Sequence, residues 1–544
     1  MSLIEKQNKP NSNSLDYTEE EELFDYIDRL EEFKINEMLS KSVLPIWDYK
    51  NKENQNSTVL IISVYKKSLK ITRILIDYCK DKNPEILKEF INASNDQGIS
   101  PLHYASFRGE VPIIKLLIEN GADMTQLTNR QLNVIHYSAQ GNKPNVLMYF
   151  YLLLKEKKDT ENKYKLILEN DGGGSTCLHW AVYSLAEDYL LYLLNLDIFG
   201  SAIKKKIFIN QLDSQGHSPL HLSVTSKSPR IAMKLLQYGA IPSLVNKDGQ
   251  TPLQLAIEKK YIEIINILKS SESCQCCNFK APIKQEKKSI KNIILIFLVQ
   301  IISSIILYWW IFPIFLNYHK NYLYYIYIFL FILFFLIYLI LLIKNPGIKK
   351  KRDLEYLKIL IDDNKDLTKY CYKCYVKKTR NSKHCIICDK CYDKFDHHCF
   401  WINKCVAKKN YSWFFIFLFE SVFYLIYIAI ISIINLIKII NLKIHDEQKY
   451  NIKEDFCQVY KNHNFFLNLC LKSFDEKLII PIIVNGILIL VILSFLIPTF
   501  FLLILHIIVC CSNYKRKKYR STATTSSIGS VSLMNEDDSL DYLS

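Results

Sequence analysis

Apolar and polar positions are segregated along this chain. Residues 1–271 interrupt their apolar runs with polar residues and read as globular and polar-faced, whereas the second half carries long uncharged stretches. Residues 292–343 contain one charged side chain, Lys320. A helix needs about 20 residues to cross a bilayer. This stretch therefore predicts two spans, 292–317 and 321–343. A third apolar stretch, 412–437, holds one acid, Glu420, and a fourth, 478–511, holds no formal charge. An acid is costly in lipid, so Glu420 is expected to face the bundle or snorkel outward. Four spans put both termini on one side. Lys284, Lys287 and Lys288 precede the first span, and the basic runs 349–352 and 515–518 follow the second and fourth. The termini and the 344–411 segment are thus expected to be cytosolic. The 438–477 loop would face the lumen or exterior, where Cys457 and Cys470 are free to pair. The first 50 residues hold no apolar run of the secretory type. Their acidic run, 19–22, reads as a solvated tail or helix face.

A self-similar pattern runs through the first half. Ser100-Pro101-Leu102-His103-Tyr104-Ala105 opens one unit, and Val134-Ile135-His136-Tyr137 follows 33 residues on. Cys177-Leu178-His179-Trp180-Ala181 returns after 43, Pro219-Leu220-His221-Leu222 after 42, and Pro252-Leu253-Gln254-Leu255-Ala256 after 33. Degenerate Ser57-Thr58-Val59-Leu60 is a candidate for an earlier unit. The pattern resembles the ankyrin repeat, whose period is about 33 residues, over 51–271. Residues 21–40 fit a capping helix. The longer intervals imply insertions of about ten residues, with 155–165 and 201–206 the expected places. Physically, Thr or Ser caps the helix, Pro suits its first turn, and Leu and Ala pack between stacked pairs. The LH histidines are read as structural. A stack of this kind offers a concave groove to protein partners. Trp180 faces that groove or packs half-buried beside it.

Composition alters this picture at three points. The apolar fraction of 49% excludes wholesale disorder, but its near-neutral mean hydropathy averages two unlike halves. The 69 basic and 54 acidic residues leave a net charge of +15, suited to phosphates or an anionic membrane surface; nucleic acid is not among the expected partners. Seven of the 16 cysteines fall between Cys371 and Cys405. That density points to metal or reactive-thiol chemistry, and the length of the chain excludes a small disulfide scaffold.

The cluster offers ten ligand-like residues: Cys371, Cys374, His384, Cys385, Cys388, Cys391, His397, His398, Cys399 and Cys405. Cys371/Cys374 and Cys385/Cys388 have the C-x-x-C step that lets two thiolates grip one Zn²⁺. Two four-coordinate sites need eight ligands, so two residues remain for chemistry.

Asp396-His397-His398-Cys399, followed by Trp401, Asn403, Cys405 and Asn410, resembles the cysteine-rich domain of DHHC-type protein S-acyltransferases. The spacing C-x2-C-x9-HC-x2-C-x2-C-x4-DHHC-x5-C is met without a gap, and one branch of the family carries ankyrin repeats. The resemblance implies an all-α protein. It would have an acidic N-terminal segment (1–50), an ankyrin solenoid (51–271), a linker (272–291), the four spans, a zinc-binding module (344–411) between spans two and three, and a cytosolic tail (512–544). It also implies two closed structural Zn²⁺ sites: Cys371, Cys374, His384 and Cys391, and Cys385, Cys388, His398 and Cys405. Cys399 would be the nucleophile, His397 its base and Asp396 the carboxylate that orients the base. The implied activity is two-step transfer of a palmitoyl-type group from acyl-CoA to protein cysteines, in Golgi or other endomembranes. The ankyrin repeats would recruit substrates, and Trp180 is one candidate contact.

Several positions depart from the family pattern. Phe400 stands in place of Pro, Lys404 of Asn, Ala407 of Gly, Thr379 of Pro and Asn381 of Arg. Asn345-Pro346-Gly347 resembles D-P-G without its Asp, and Thr524-Thr525-Ser526-Ser527 resembles T-T-x-E without its Glu. No expected ligand is lost. Residues 344–383 carry 13 basic and 5 acidic side chains, suited both to CoA phosphates or lipid headgroups and to a positive-inside anchor. Cys274, Cys276, Cys277, Cys510 and Cys511 lie beside spans and are either acylation sites or unmodified thiols. The competing expectation is a membrane-anchored ankyrin adaptor whose zinc module is not catalytic.

Overall fold

The computed structural model describes residues 18–41, 43–156, 164–272, 321–445 and 479–525, with isolated helical positions at 294, 298 and 302. The expected first span (292–317) and the 272–291 linker lie almost wholly outside the described residues, as do the 446–477 part of the loop, its Cys457 and Cys470, and the end of the tail. The chain forms two compact units: residues 1–286 with 349–380 and 389–391, and 287–348 with 381–388 and 392–544.

The first unit is built on ankyrin repeats. Its helices come in consecutive pairs, from Val59–Tyr65 with Leu69–Lys82 to Pro252–Glu258 with Ile262–Glu272, so the degenerate 57–60 segment does open a unit. The first helix of each pair starts on a polar cap: Thr58, Ser100, Asn133, Thr176, Ser218 or Thr251. In four of them the capping box is closed by histidine at the third helical position, not by the usual Glu or Gln. The ring then reaches the next repeat: His103 Nε2 lies 3.2 Å from the Leu132 carbonyl, His179 Nε2 3.3 Å from that of His217, and His221 Nε2 3.0 Å from that of Gln250. These histidines are structural. Burial holds the His103 and His136 imidazoles down at about 4.

The turns between repeats touch one another closely. Gly216 has φ +75°, and a Cβ there would meet the Lys247 amide nitrogen at 2.7 Å, so only glycine fits. The acidic run forms the first turn of helix Glu19–Arg29, where Thr18 and Glu21 make a capping box and acids oppose the helix dipole. A second helix, Glu32–Lys41, follows Leu30 in a left-handed turn, so the single capping helix expected over 21–40 is two. The 201–206 insertion is part of helix Ala202–Ile209, and 157–163 lies outside the described residues.

Residues 349–380 belong to this unit rather than to the membrane helices. Helix Leu354–Asp362 packs on Val111–Glu119 and Pro144–Glu156, the second helices of two repeats. Leu357, Leu360, Ile361, Leu367 and Tyr370 join the repeat core. The Tyr192 hydroxyl donates to the Leu367 carbonyl at 3.2 Å, Asn364 Nδ2 to Glu110 at 2.9 Å, and Lys378 pairs with Asp188 at 2.8 Å.

Among the described residues, the second unit is built on three long helices, Asn321–Ile343, Tyr411–His445 and Ile479–Thr525. Each contains a stretch long and apolar enough to cross a membrane: Tyr325–Ile343, Tyr411–Ile437 and Gly486–Ile508. The middle helix packs against both others. Glu420 is 6% exposed and faces the bundle; neither carboxylate oxygen has a partner among the described residues. The last two helices run past the expected ends at 437 and 511, because neither Pro nor Gly interrupts 438–445 or 512–525.

Candidate functional site

The cysteine-rich segment is short strands and tight turns, which set thiols close together. In the first unit Cys371, Cys374 and Cys391 form a buried cluster, with thiols within 4.8 Å of one another. The turn closes by a Tyr375 N–H to Cys371 carbonyl bond of 2.9 Å, with Tyr375 at φ 53°. His384 lies on strand Lys383–Cys385 of the second unit.

The second unit brings Cys385, Cys388, His398 and Cys405 together. His398 Nδ1 is 3.8 Å from Cys385 Sγ, 3.3 Å from Cys388 Sγ and 3.6 Å from Cys405 Sγ, and the Cys388 and Cys405 sulfurs are 3.5 Å apart. Tetrahedral Zn²⁺, with sulfur at about 2.3 Å and nitrogen at about 2.0–2.1 Å, separates its ligands by about 3.5–3.8 Å. The donor set and spacing fit zinc.

Two of these ligands sit in a hairpin that also carries the remaining thiol. Strand His397–Cys399 pairs antiparallel with Lys404–Val406, setting His398 opposite Cys405 and Cys399 opposite Lys404. Alternation along a strand sends neighbouring side chains to opposite faces. His398 therefore turns to the thiol cluster, while His397 and Cys399 turn the other way. Cys399, 4% exposed, packs with Tyr338, Leu341, Phe414 and Phe417 from the two membrane helices.

His397 Nδ1 lies 2.8 Å from Asp396 Oδ2, and the ring also hydrogen-bonds Cys399. Burial pulls the His397 imidazole down, but the bonds to Asp396 and Cys399 outweigh it and hold the group up at about 9. Burial raises the Asp396 carboxyl, and the adjacent His397 more than reverses that. The arrangement can orient an imidazole, exchange a proton with a thiol and seat an apolar chain next to it.

Two departures from the family pattern have structural accounts. Lys404 Nζ donates to the carbonyls of Leu342 and, at 3.3 Å, Lys344. It thus caps the end of helix Asn321–Ile343, a place that favours a cation. Asn345 Oδ1 accepts the Gly347 and Ile348 amides at 2.9 and 3.3 Å, the turn-forming role open to Asp as well as Asn. The Ala407 amide donates to Asn410 Oδ1 at 2.8 Å. Phe400 is 46% exposed, edge-on to His398. Of the basic residues in 344–383, Lys358, Lys373 and Lys378 are paired with Glu156, Asp389 and Asp188.

Sequence reasoning overlooked His506. It sits in the Ile479–Thr525 helix, 7% exposed, with Nε2 3.8 Å from Asp396 Oδ2. Its signal was present: it is the only titratable nitrogen in the apolar stretch 478–511.

The site lies within a stretch that matches a known family. The DHHC palmitoyltransferase family model matches residues 364–522, and the ankyrin-repeat model matches 34–128 and 197–279. The chain is 22% identical over 387 residues to palmitoyltransferase ZDHHC13 of Pongo abelii, covering 60% of this chain and 58% of the relative. It is 27% identical over 163 residues to palmitoyltransferase AKR1 of Lachancea kluyveri, covering 29% and 19%. It is also 24% identical over 220 residues to the chicken (Gallus gallus) nuclear factor NF-kappa-B p105 subunit, covering 40% and 20%. The chain thus spans less than two thirds of the length of each of these relatives.

Proposed function

We propose that this chain, which joins ankyrin repeats to a DHHC palmitoyltransferase domain, is a protein S-acyltransferase whose nucleophile is Cys399. The observation that carries this is the line Asp396–His397–Cys399, ending on a thiol that lies among apolar residues from two membrane helices.

His397 accepts the Cys399 proton while Asp396 holds the imidazole in place. The thiolate attacks the acyl-CoA carbonyl carbon, a thioester to Cys399 forms, and CoA leaves as a thiol with the proton returned by His397. A cysteine of the protein substrate then repeats the exchange: His397 takes its proton, its sulfur takes the acyl group, and Cys399 is protonated again. The apolar surroundings of Cys399 suit a palmitoyl-length chain, and the excess of basic over acidic residues in 344–383 suits CoA phosphates.

Two Zn²⁺ ions complete the module in this reading. Cys385, Cys388, His398 and Cys405 hold one. Cys371, Cys374 and Cys391 hold the other, and we assign His384 as its fourth ligand from the C-x2-C-x9-H spacing. Zinc there is structural, locking strands too short to hold themselves. The basic flanks of the spans support cytosolic termini, and the family resemblance favours an endomembrane site. Protein substrates dock through the repeats. Trp180 is a candidate contact there, although its indole N–H is held by Asp171 at 2.9 Å.

Purified protein is expected to take label from palmitoyl-CoA as a hydroxylamine-sensitive adduct, and Cys399→Ser to lose it while keeping two zinc ions. Label persisting in Cys399→Ser would exclude Cys399 as nucleophile. Absence of label in the wild type would favour an adaptor.

A further inference from the structure

His506 has no part in the reaction as described, yet it reaches from the last membrane helix to the Asp396–His397 pair. The Tyr411 hydroxyl lies 2.9 Å from His506 Nδ1, and His506 Nε2 lies 3.8 Å from Asp396 Oδ2. The His397 and His506 rings are 6.1 Å apart, and Phe414 stands edge-on to both, at 5.3 and 5.5 Å. Tyr411 and Phe414 begin one membrane helix and His506 lies on another.

One proton arrangement satisfies all of these contacts. The Tyr411 O–H donates to Nδ1, which leaves the His506 proton on Nε2, pointing at Asp396. The carboxylate oxygen then faces two N–H groups, the near one from His397 Nδ1 and a more distant one from His506. A ring nitrogen's partner sets the tautomer of the other nitrogen, so Tyr411 determines which face His506 offers. Asp396 is partly exposed and, with only His397 beside it, would be free to rotate away.

We propose that His506, set by Tyr411, is a positioning residue: it pins Asp396 so that the carboxylate keeps His397 aimed at Cys399. Helices Tyr411–His445 and Ile479–Thr525 thereby contribute to the reaction geometry as well as to any acyl-chain cavity. The inference rests on the proposed roles of Cys399 and His397.

The test measures single-turnover acylation of full-length protein in detergent with palmitoyl-CoA, alongside zinc content. His506→Phe keeps the ring packing and removes both nitrogens. Its maximal acylation rate is expected to fall at least tenfold, with half-saturation by palmitoyl-CoA and two zinc ions per chain unchanged. Glutamine can place an amide N–H where Nε2 lies, so His506→Gln should recover most of the rate. Asparagine reaches only the Nδ1 position, so His506→Asn should not. Tyr411→Phe should lose several-fold. A wild-type rate in His506→Phe, or equal loss in the Gln and Asn variants, would overturn the proposal. Cys399→Ser run in parallel separates the two readings: label retained there defeats the nucleophile assignment, whereas label lost there with His506→Phe at full rate defeats this inference alone.

Discussion

Lys404 donates from Nζ to the main-chain carbonyl of Leu342. It ties the strand opposite Cys399 to the C-terminal end of a membrane helix. At that position a cation satisfies carbonyls that the helix leaves unpaired.

Lys404→Met should therefore cost about 1.5–3 kcal/mol, the range for a hydrogen bond to a charged group. It should also slow Cys399 acylation several-fold, because the hairpin loses its anchor. Thermal unfolding and single-turnover labelling measure the two effects. Lys404→Arg should recover most of both.

The repeats should weaken in acid. His103 and His136 sit at about 4 in the fold, against about 6.5 in an unfolded chain. Below 6.5 the unfolded chain binds protons that the fold refuses. Their contribution is therefore complete above pH 6.5 and is lost as the pH falls toward 4. Each is worth on the order of 3 kcal/mol. Hydrogen exchange of the full-length protein at pH 7 and 5 should show faster opening of helices Pro101–Arg108 and Val134–Gln140 at pH 5, after correction for intrinsic rates. His103→Gln should flatten that dependence.

Metal content should separate the two thiol clusters. Wild-type protein is expected to hold two zinc ions, and Cys388→Ala about one. Acylation should be lost in Cys388→Ala, because the hairpin bearing Cys399 also bears His398 and Cys405. Zinc measured by mass spectrometry on detergent-purified protein tests the count.

Leu360 joins the repeat core at 4% exposure. Leu360→Ala should destabilise the first unit by about 2–4 kcal/mol. Exchange should rise in helix Leu354–Asp362 and in Val111–Glu119 beneath it, and to a smaller extent in the N-terminal helices. Unchanged exchange in Val111–Glu119 would show that the segment does not hold to the repeats in solution.

Much of this protein was legible in order along the chain. A His at the third position of four capped helices, a C-x-x-C step and a run of 23 residues without charge at Asn321–Ile343 are local or periodic signals. Each states its structure within one turn, one knuckle or one bilayer crossing. Other features could not be read that way. The helix Leu354–Asp362 lies in the stretch predicted to be zinc module, but it buries Leu357, Leu360 and Ile361 in the repeat core, at a place where Lys358 also meets Glu156 from 202 positions earlier. An amphipathic pattern shows that a helix has an apolar face, not which surface covers it. The last helix continues to Thr525 although its apolar stretch ends earlier, because polar residues end a membrane crossing without interrupting the backbone hydrogen bonds.

The sequence alone determined the repeat solenoid, the apolar helices and the chemical inventory of the cysteine-rich segment, because each is written in residue types at fixed spacing. Only the tertiary structure decided which of those residues meet. It turned His398 to the thiols and His397 to Cys399 through strand alternation, and it placed His506 from 110 positions downstream within 3.8 Å of Asp396. The reason is physical: spacing along one strand or helix is set by the backbone, whereas approach between distant segments is set by how their apolar faces pack.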